Sequence, residues 1–450
     1  MKKTFLATIM LLLFVCLIFT GCAPRLEMPT DYSNVVSNGG FVVGSGNYMF
    51  FGNAYKNYSS LQDGDNDGNV NQYSINRLQL DRQTHPRSSW FKIQKNEDGE
   101  FDYEKVVDKI SAYETANMFV VNEYLYFTTP NIHKNNKNEH EYELSTLFRI
   151  RLDGTGLKEL YTTEVKGAKI YLTGGENQML IIFDDNKLKT INVSNNETRV
   201  KNLVSDTKVV NIVFPKNQED ISYLYFTTDR TSAQAFSGNL LYKVSIKTGE
   251  LSQIENLNSS NQTISLLAYD NGILFYSKKV GNENIVYSTD FSTSNSKRHL
   301  SYDDDNAISS LIYVSCEDAN NNCFAFIYNK KLYIQLMTSE NISQAKKLSD
   351  KSAKIQFAKD GYIYYSDDDG IYRISAKDKI ETQISNITEF ISDLMDFDGK
   401  YVYFYGKEKN VTSDTYYLYR ADTYLDEIRV ECIADILDED VATEVVETEE

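Results

Sequence analysis

A short alternation of aromatic and aliphatic residues recurs along most of the chain. It is clearest at residues 124–127, Tyr-Leu-Tyr-Phe, which are answered about twenty positions later by residues 147–150, Leu-Phe-Arg-Ile. An apolar run precedes each such pair and a short polar run follows it, with Gly, Asn or Asp in between. Because successive side chains of a strand point to opposite faces, this pattern predicts strands, and the Gly, Asn and Asp residues predict their turns.

Eight copies of this unit align by their second and third strands. The second strands are predicted at 48–51, 124–127, 179–183, 223–226, 273–276, 324–328, 362–365 and 401–404. Third strands are predicted at 147–150, 188–191, 240–244, 285–287, 331–334, 371–374 and 417–420. A spacing of about 40–55 residues with four strands per unit is typical of β-propeller blades, because a single blade cannot bury both of its faces.

The sequence therefore predicts an all-β fold, a β-propeller of four-stranded antiparallel blades over residues 38–434. Eight blades is the leading count, and seven is the alternative because the first unit is irregular. Its two outer strands are predicted at 90–93 and 101–107, which makes the stretch around 57–88 an insertion between strands. A second long loop spans 130–143, and we expect these two loops to carry binding contacts because insertions in repeat proteins often lie on the binding face.

The two ends of the chain depart from the repeat. A dibasic start, an apolar run and then Gly21 and Cys22 predict a lipoprotein signal peptide at 1–21, with Cys22 as the lipidated first residue of the mature chain. A plain signal peptide cleaved nearby is the alternative. Residues 22–37 are predicted to be a flexible tether and 435–450 an acidic tail. The predicted location is the outer face of a bacterial cytoplasmic membrane, where the acyl chains on Cys22 anchor the protein.

The charge of the chain narrows the classes of partner. The formal net charge is −18, whereas nucleic-acid binding depends on a basic surface that displaces counterions from phosphates. We therefore expect no nucleic-acid partner and a solvated, self-repelling surface.

Two cysteines flank a polar turn between apolar segments. Across such a hairpin, Cys316 and Cys323 are placed to form a disulfide, which suits an exported protein. Spacing does not establish pairing, so two separate thiols remain the alternative.

An acidic turn inside the insertion is the sharpest chemical motif. Its oxygen donors alternate along the chain: Asp63, Asp65, Asp67, Asn69 and Asn71. Alternating hard oxygen donors around a glycine predict a structural Ca²⁺ site, in which Asn69 contributes its main-chain carbonyl. The bidentate Glu of an EF-hand would fall at Ser74, which excludes an EF-hand. A solvated turn of Asp, Asn and Gly is the alternative.

Two resemblances follow from these motifs. The aromatic pair followed by Thr or Ser at 126–129, 225–229 and 364–367 resembles the YWTD repeat of receptor-type propellers. The opening segments 38–43 and 48–51 resemble the start of a family of lipid-anchored, extracytoplasmic propeller proteins of low-GC Gram-positive bacteria, known only as a domain of unknown function. The likeness covers nearly all of the predicted mature chain and implies a fold and a surface location. Its motifs are structural, so it implies no activity and no binding residues.

Motifs of catalysis are sparse. The chain contains no Gly-x-Ser-x-Gly elbow and no phosphate-binding glycine loop. Residues 366–370 partly resemble the Asp box of sialidase propellers, but an Asp-Gly pair predicts a tight hairpin turn there. The leading prediction is a non-catalytic binding or scaffold module for an envelope protein or a glycan. The alternatives are a carbohydrate-active enzyme with carboxylates at the central channel, and an accessory or sensor subunit of an envelope complex.

The calcium interpretation is tested by titration of the mature chain. We expect heat on adding Ca²⁺ and a lower melting temperature after chelation, because an ion that binds the folded state alone stabilises it. A variant with Asp63→Asn and Asp65→Asn should show neither effect. An absence of both effects in the unmodified chain would retire the calcium site.

Overall fold

The computed structural model describes the chain from residue 26 to residue 435, and its longer gaps are 53–73, 80–103, 109–116, 204–208, 230–238, 255–262, 339–344 and 408–416. Within the described residues, strands β1–β33 form eight antiparallel sheets, each built from strands consecutive in the chain. Seven of these sheets have four strands and the first has five. The predicted all-β propeller with four-stranded antiparallel blades is confirmed.

The first four sheets cover residues 35–253. Sheet 1 contains β1 (Val35–Val36), β2 (Val42–Ser45), β3 (Tyr48–Gly52), β4 (Ser74–Gln79) and β5 (Glu104–Asp108). Sheet 2 contains β6 (Met118–Val121), β7 (Tyr124–Pro130), β8 (Ser145–Arg151) and β9 (Lys158–Thr162). Sheet 3 contains β10 (Lys169–Leu172), β11 (Met179–Asp184), β12 (Lys187–Asn192) and β13 (Thr198–Asn202). Sheet 4 contains β14 (Val209–Val213), β15 (Tyr223–Asp229), β16 (Asn239–Ser245) and β17 (Leu251–Gln253).

The last four sheets cover residues 264–435. Sheet 5 contains β18 (Ile264–Asp270), β19 (Ile273–Val280), β20 (Glu283–Thr289) and β21 (Lys297–Asp303). Sheet 6 contains β22 (Ser310–Val314), β23 (Cys323–Tyr328), β24 (Lys331–Leu336) and β25 (Lys346–Lys347), with a 3-10 helix at Ala319–Asn321. Sheet 7 contains β26 (Lys354–Lys359), β27 (Tyr362–Asp367), β28 (Gly370–Ser375) and β29 (Glu381–Ser385). Sheet 8 contains β30 (Glu389–Phe397), β31 (Tyr401–Lys407), β32 (Tyr417–Asp422) and β33 (Val430–Asp435).

The first strands of the sheets lie side by side at the centre of the ring. Strand β2 contacts β6, β14 contacts β18, β18 contacts β22, and β22 contacts β26. Because each sheet is antiparallel and in chain order, all connections between second and third strands leave at one end of the ring, here called the upper end. In the described part of the chain, no helix is long and apolar enough to cross a membrane.

Alternate residues of the second strands pack against opposite neighbours. In β7, Leu125 and Phe127 join a cluster with Phe50 of sheet 1. Tyr126, between them, joins a cluster with Leu180 of sheet 3. All three β7 side chains are fully buried. The two faces of one sheet are therefore covered by two different neighbours, as the prediction from the aromatic repeat requires.

A cation of the third strand packs over a tyrosine at the start of the second strand in sheets 2, 4, 7 and 8. The distances from the charged group to the ring centroid are 4.4 Å for Arg149 over Tyr124, 4.7 Å for Lys243 over Tyr223, 4.7 Å for Arg373 over Tyr362 and 4.4 Å for Arg420 over Tyr401. The negative face of the ring attracts the cation, and such contacts contribute about 0.5–2 kcal/mol each. This explains why a basic residue recurs in the third strands.

In several sheets, the side chain of the third residue of the second strand contacts the next sheet. The Tyr126 hydroxyl donates to the carbonyl oxygen of Val193 at 3.3 Å. The Tyr225 ring stacks on Phe291, with 4.8 Å between centroids. Burial raises the pKa of Tyr364 to about 12, so this side chain stays neutral and able to donate a hydrogen bond at physiological pH.

Asp396 of β30 joins the last sheet to the first. Its carboxylate oxygen Oδ2 accepts hydrogen bonds from the main-chain N–H groups of Phe41, at 2.8 Å, and Val42, at 2.9 Å. The rings of Phe41 and Tyr405 pack beside this contact, with centroids 4.7 Å apart. A Cβ atom at Gly40 would lie 1.8 Å from Asp396 Oδ1. Glycine is therefore required at position 40 by space and not by backbone conformation.

Main-chain hydrogen bonds join sheet 1 to sheet 2 next to this contact. The N–H of Gly39 donates to the carbonyl of Met118 at 2.6 Å, and the N–H of Met118 donates to the carbonyl of Gly40 at 2.7 Å. Strand β3 pairs with one edge of β2, and β1 pairs with the opposite edge. Strand β1 therefore adds a fifth strand on the central side of sheet 1. Sheet 1 is thus held on both sides, by sheet 8 and by sheet 2.

The predicted second and third strands are confirmed in sheets 2–8, and so is the second strand of sheet 1. The predicted outer strands of the first unit are partly wrong. Its third strand is β4, which lies inside the predicted insertion 57–88, whereas residues 90–93 lie outside the described residues. Strand β4 lacks aromatic residues, so the sequence pattern did not identify it. Its register matches that of sheet 2, because Arg77 lies opposite Phe50 and Arg149 lies opposite Tyr126.

Part of the predicted tether packs against the core. The N–H of Leu26 donates to the carbonyl of Asp153 at 3.2 Å. Leu26, Met28 and Val35 pack against the core cluster shared by sheets 1 and 2. The prediction of a flexible linker followed from the polar composition of this segment. Its few apolar residues nevertheless bury apolar surface against the core. The expected tight turn at 366–370 is confirmed, since Asp367 pairs with Gly370 across a two-residue connection.

The contact between sheets 8 and 1 can be tested by a double-mutant cycle. We expect Asp396→Ala to destabilise the protein by about 1–3 kcal/mol, because it leaves two main-chain donors without their acceptor. Gly40→Ala should destabilise by forcing the carboxylate away, and it should cost less in the Asp396→Ala background, where there is no carboxylate to displace. Urea unfolding midpoints measure both effects.

The exposed Asp368→Ala serves as the control and should leave the midpoint nearly unchanged. Strictly additive effects of the two substitutions would contradict the proposed contact between position 40 and Asp396.

Candidate functional site

A cavity of about 500 Å³ lies at the centre of the ring. Its walls come from sheets 1, 2, 3, 4 and 8, and the lining residues are Gly39, Gly40, Asn117, Phe119, Ala168, Lys169, Ile170, Tyr171, Leu172, Phe214, Pro215 and Asp396. This volume is in the range of small-ligand pockets. Its wall mixes aromatic and aliphatic side chains with polar groups, and polar atoms make up more of the exposed wall than apolar atoms.

Sheet register brings three of these residues to one level of the channel. Phe119, Tyr171 and Asp396 each lie opposite the third residue of the second strand in their own sheets. In sheet 7 the equivalent residue is Phe357. Asp396 therefore occupies a position that is aromatic in three other sheets.

Aromatic rings form one wall of the cavity. Phe119 and Tyr171 are buried, while Phe214 is half-buried. The rings of Tyr171 and Phe214 stack with centroids 5.6 Å apart and an interplanar angle of 26°. A stacked pair holds its rings in place, so Phe214 presents a fixed apolar surface to the cavity.

Two polar residues stand at the beginnings of first strands. Lys169 starts β10, and its ammonium donates to the carbonyl oxygen of Ile212 at 3.4 Å. Asn117 directly precedes β6, where its N–H donates to Thr128 Oγ1 at 2.9 Å and its carbonyl accepts from the Thr128 N–H at 3.1 Å. Strand pairing thus fixes the backbone of both residues at the cavity wall.

Among the described lining residues, Asp396 is the one carboxylate, and two main-chain N–H groups already hold it. Hydrolysis of a glycosidic bond ordinarily uses two facing carboxyl groups, and the described part of the cavity wall brings no second one to Asp396. In the described residues there is likewise no group of three or more His, Cys, Asp or Glu side chains that could hold a metal ion.

Most of the predicted site residues lie outside the described residues. These are Cys22 and the five predicted calcium ligands, Asp63, Asp65, Asp67, Asn69 and Asn71. The predicted insertion 57–88 is divided by β4, so one part connects second to third strand and the other connects third to fourth. The two parts therefore leave sheet 1 at opposite ends of the ring. The predicted loop 130–143 connects β7 to β8 at the upper end, where the Asn131 N–H donates to the Leu144 carbonyl at 2.8 Å.

The two cysteines do lie close together. Cys323 begins β23 opposite Val314, and the Cys316 N–H donates to Asn322 Oδ1 at 2.9 Å. Their thiols are within hydrogen-bonding reach, and both are free. Burial raises the pKa of Cys323 to about 12 and also raises the pKa of Cys316.

Sequence analysis missed Asp396, Lys169 and Phe214 as site residues. They come from three different units and are far apart in the chain, so no local motif contains them. One signal was present: a carboxylate at position 396, where the equivalent positions 119, 171 and 357 are aromatic. An exception to a structural repeat is a place to look for function.

No protein-family model matches the chain, and no curated protein matches it. The resemblance to lipid-anchored propeller proteins therefore remains a prediction.

Solved structures with similar folds include dipeptidyl peptidase 4 from Porphyromonas gingivalis, with a TM-score of 0.49, 10% identity, and coverage of 88% of this chain and 60% of that one. The β-propeller domain of the trilobed protease from Pyrococcus furiosus gives a TM-score of 0.39 at 12% identity, covering 78% and 97%. Oligogalacturonate lyase from Vibrio parahaemolyticus gives 0.41 at 13% identity, covering 68% and 97%.

A puromycin-hydrolyzing peptidase from Mycobacterium tuberculosis is matched with a TM-score of 0.41 at 10% identity, covering 70% of this chain and 52% of that one. The chain thus spans 52% and 60% of the length of the two bacterial peptidases. Matches at these identities and TM-scores carry no conclusion about the activity of this chain.

The cysteine pair can be tested during refolding. We expect Cys316 and Cys323 to form a disulfide when the reduced, unfolded chain refolds with oxidised glutathione, which is reduced to two glutathione molecules as the protein loses two hydrogens. In the folded reduced protein the reaction should be slow, because the raised thiol pKa values leave little of the reactive thiolate.

Peptide mass after alkylation measures the pairing, and Cys323→Ser is the control in which Cys316 stays alkylatable. Full alkylation of both residues after oxidative refolding would contradict the disulfide.

Proposed function

We propose that this protein is an extracytoplasmic binding module that takes a sugar unit of an envelope glycan into the cavity at the centre of its ring. The observation that carries the proposal is the cavity of about 500 Å³, with stacked aromatic rings beside an amide and an ammonium group. One sugar ring or two fit a volume of this size.

The chemistry of the walls matches a carbohydrate. A pyranose ring has an apolar C–H face that packs on an aromatic ring, and its hydroxyl groups need hydrogen-bond partners once they leave water. Phe214 supplies an apolar face, and Asn117 and Lys169 stand at the same cavity. A purely apolar ligand would displace water from the Lys169 ammonium without replacing its hydrogen bonds, which is costly.

The location at a membrane is part of the same proposal. Lipidation at Cys22 would attach the chain through acyl chains to the outer face of the cytoplasmic membrane, and two or more chains give stable anchoring. The net charge of −18 keeps a concentrated surface protein soluble.

Two structural elements of the proposal concern sheet 1. We assign this five-stranded sheet as an eighth blade, supported by its hydrogen bonds to sheet 8 on one side and to sheet 2 on the other. Strand β1 would then narrow the channel from its central side. A Ca²⁺ ion held by Asp63, Asp65 and Asp67 would stiffen the connection between β3 and β4.

The upper end of the ring is the expected side of approach for the rest of the glycan. Four second-to-third-strand connections are long, at 53–73, 131–144, 230–238 and 408–416, and all four depart from this end. All four belong to sheets that also line the cavity, namely sheets 1, 2, 4 and 8.

Binding of the mature chain to a panel of bacterial envelope oligosaccharides tests the proposal. We expect Phe214→Ala to weaken binding about tenfold, corresponding to about 1.4 kcal/mol, because it removes the aromatic surface. Phe291→Ala is the matched control. Both rings are half-buried against the same core cluster, but only Phe214 lines the cavity. The control should therefore lose similar packing and keep its affinity.

Isothermal titration measures the affinities, and thermal melting measures the stabilities. Binding of no oligosaccharide, or equal affinity of Phe214→Ala and the unmodified chain, would overturn the proposal. In-cell cross-linking to an envelope protein that survives Phe214→Ala would favour a protein partner in its place.

A further inference from the structure

The cavity wall carries a cation with little compensation from the protein. In the described residues, the one partner of the Lys169 ammonium is the carbonyl oxygen of Ile212, at 3.4 Å. This distance is at the long end for a hydrogen bond, and an ammonium group has three donors. Part of the donor capacity of Lys169 therefore faces the cavity.

Two half-buried lysines of this protein have aromatic partners. The ammonium of Lys189 lies 3.5 Å from the ring centroid of Tyr161, and that of Lys278 lies 5.8 Å from the ring centroid of Tyr276. Burial lowers the pKa of both lysines and also that of Lys169. The negative ring faces offset part of this cost for Lys189 and Lys278. The Lys169 side chain is more exposed than these two, and within the described residues its ammonium has only the long contact to Ile212, so it stays available to a ligand in the cavity.

The carboxylate in the cavity is engaged by main-chain groups of sheet 1. Asp396 Oδ2 accepts from the N–H groups of Phe41 and Val42, and Oδ1 lies against Gly40. Lys169 is the one cation among the described lining residues, in a chain whose net charge is −18. An anion would be repelled by the protein as a whole, so it needs a local cation of this kind to bind inside.

We infer that the ligand of the cavity is an acidic sugar whose anionic group binds the Lys169 ammonium while its ring lies against Phe214. This inference rests on the proposed function, because it names the class of sugar that the same cavity binds. A uronic acid and a sugar phosphate share the required chemistry, an anionic group on a sugar ring. The bond from the ammonium to the anion is charge-assisted, and removal of such a partner weakens binding about ten- to a hundredfold.

Three probes separate the outcomes: a uronic-acid oligosaccharide, its carboxyl-reduced neutral counterpart, and a sugar phosphate. Titrations use the mature chain and its Lys169→Met, Lys169→Arg and Lys278→Met variants. We expect Lys169→Met to weaken the acidic probes about ten- to a hundredfold and to leave the neutral probe nearly unchanged. Lys169→Arg should restore most of the acidic binding, and Lys278→Met, a control that removes a strand lysine away from the cavity, should bind as the unmodified chain.

The probes also distinguish the sources of the anion. Tighter binding of the uronic acid identifies a carboxylate ligand, and tighter binding of the sugar phosphate identifies a phosphate; either result supports the inference. Equal binding of acidic and neutral probes, unaffected by Lys169→Met, overturns the inference and leaves the proposed function intact. Binding of no probe by any form of the chain overturns both.

The pH dependence gives a second readout that a structural role of Lys169 would not produce. Acidic binding should weaken as pH rises through the pKa of Lys169, which burial holds below its ordinary value. The other titratable groups lining the cavity in the described residues are Asp396 and Tyr171. Lys169→Arg should remove the loss of binding at high pH, since arginine stays charged. A pH profile identical for lysine and arginine at position 169 would contradict the inference.

Discussion

Each sheet of this ring has two apolar faces, and neither face can be covered by the sheet itself. Strand β7 shows the constraint, because Leu125 and Phe127 pack on sheet 1 while Tyr126 packs on sheet 3. Every sheet therefore depends on both neighbours, and stability comes from the sequence of interfaces around the ring. The tyrosine hydroxyls and the paired cations add polar contacts at the same interfaces without breaking the apolar core.

The contact between the first and last sheets adds polar interactions to this apolar packing. Each described sheet uses consecutive strands, so no sheet combines strands from the two ends of the chain. The two sheets are joined instead by the Asp396 carboxylate, by packing of Phe41 on Tyr405, and by the space left at Gly40. A charged acceptor suits this position because the N–H groups of Phe41 and Val42 lie beyond the end of β1 and need a partner.

The same local exception shapes the cavity. An aromatic residue at position 396, as at 119, 171 and 357, would add a ring to the channel wall and could not accept from the main chain of sheet 1. The cavity thus lies where sheets 8 and 1 meet and extends along sheets 2, 3 and 4. The repeated residues of the second and third strands build the interfaces between sheets, whereas Asp396, Lys169 and Phe214 at the cavity belong to no repeated motif. This division explains why Phe214 and Lys169 are better candidates for binding than the many tyrosines of the second strands.

The sequence by itself determined the strand order, the four-stranded unit and the role of the aromatic residues as core, because period-two burial and turn residues are local properties of the chain. It did not identify β4, whose residues Ser74–Gln79 lack the aromatic pattern, and it assigned to a tether the apolar residues Leu26, Met28 and Val35 that pack on the core. Only the tertiary structure decided which residues meet at the cavity. Lys169 and Asp396 are more than two hundred positions apart in the chain, and they reach one cavity because the ring returns the last sheet to the first. A contact of this kind depends on the closure of the whole ring, which no local pattern of side chains encodes.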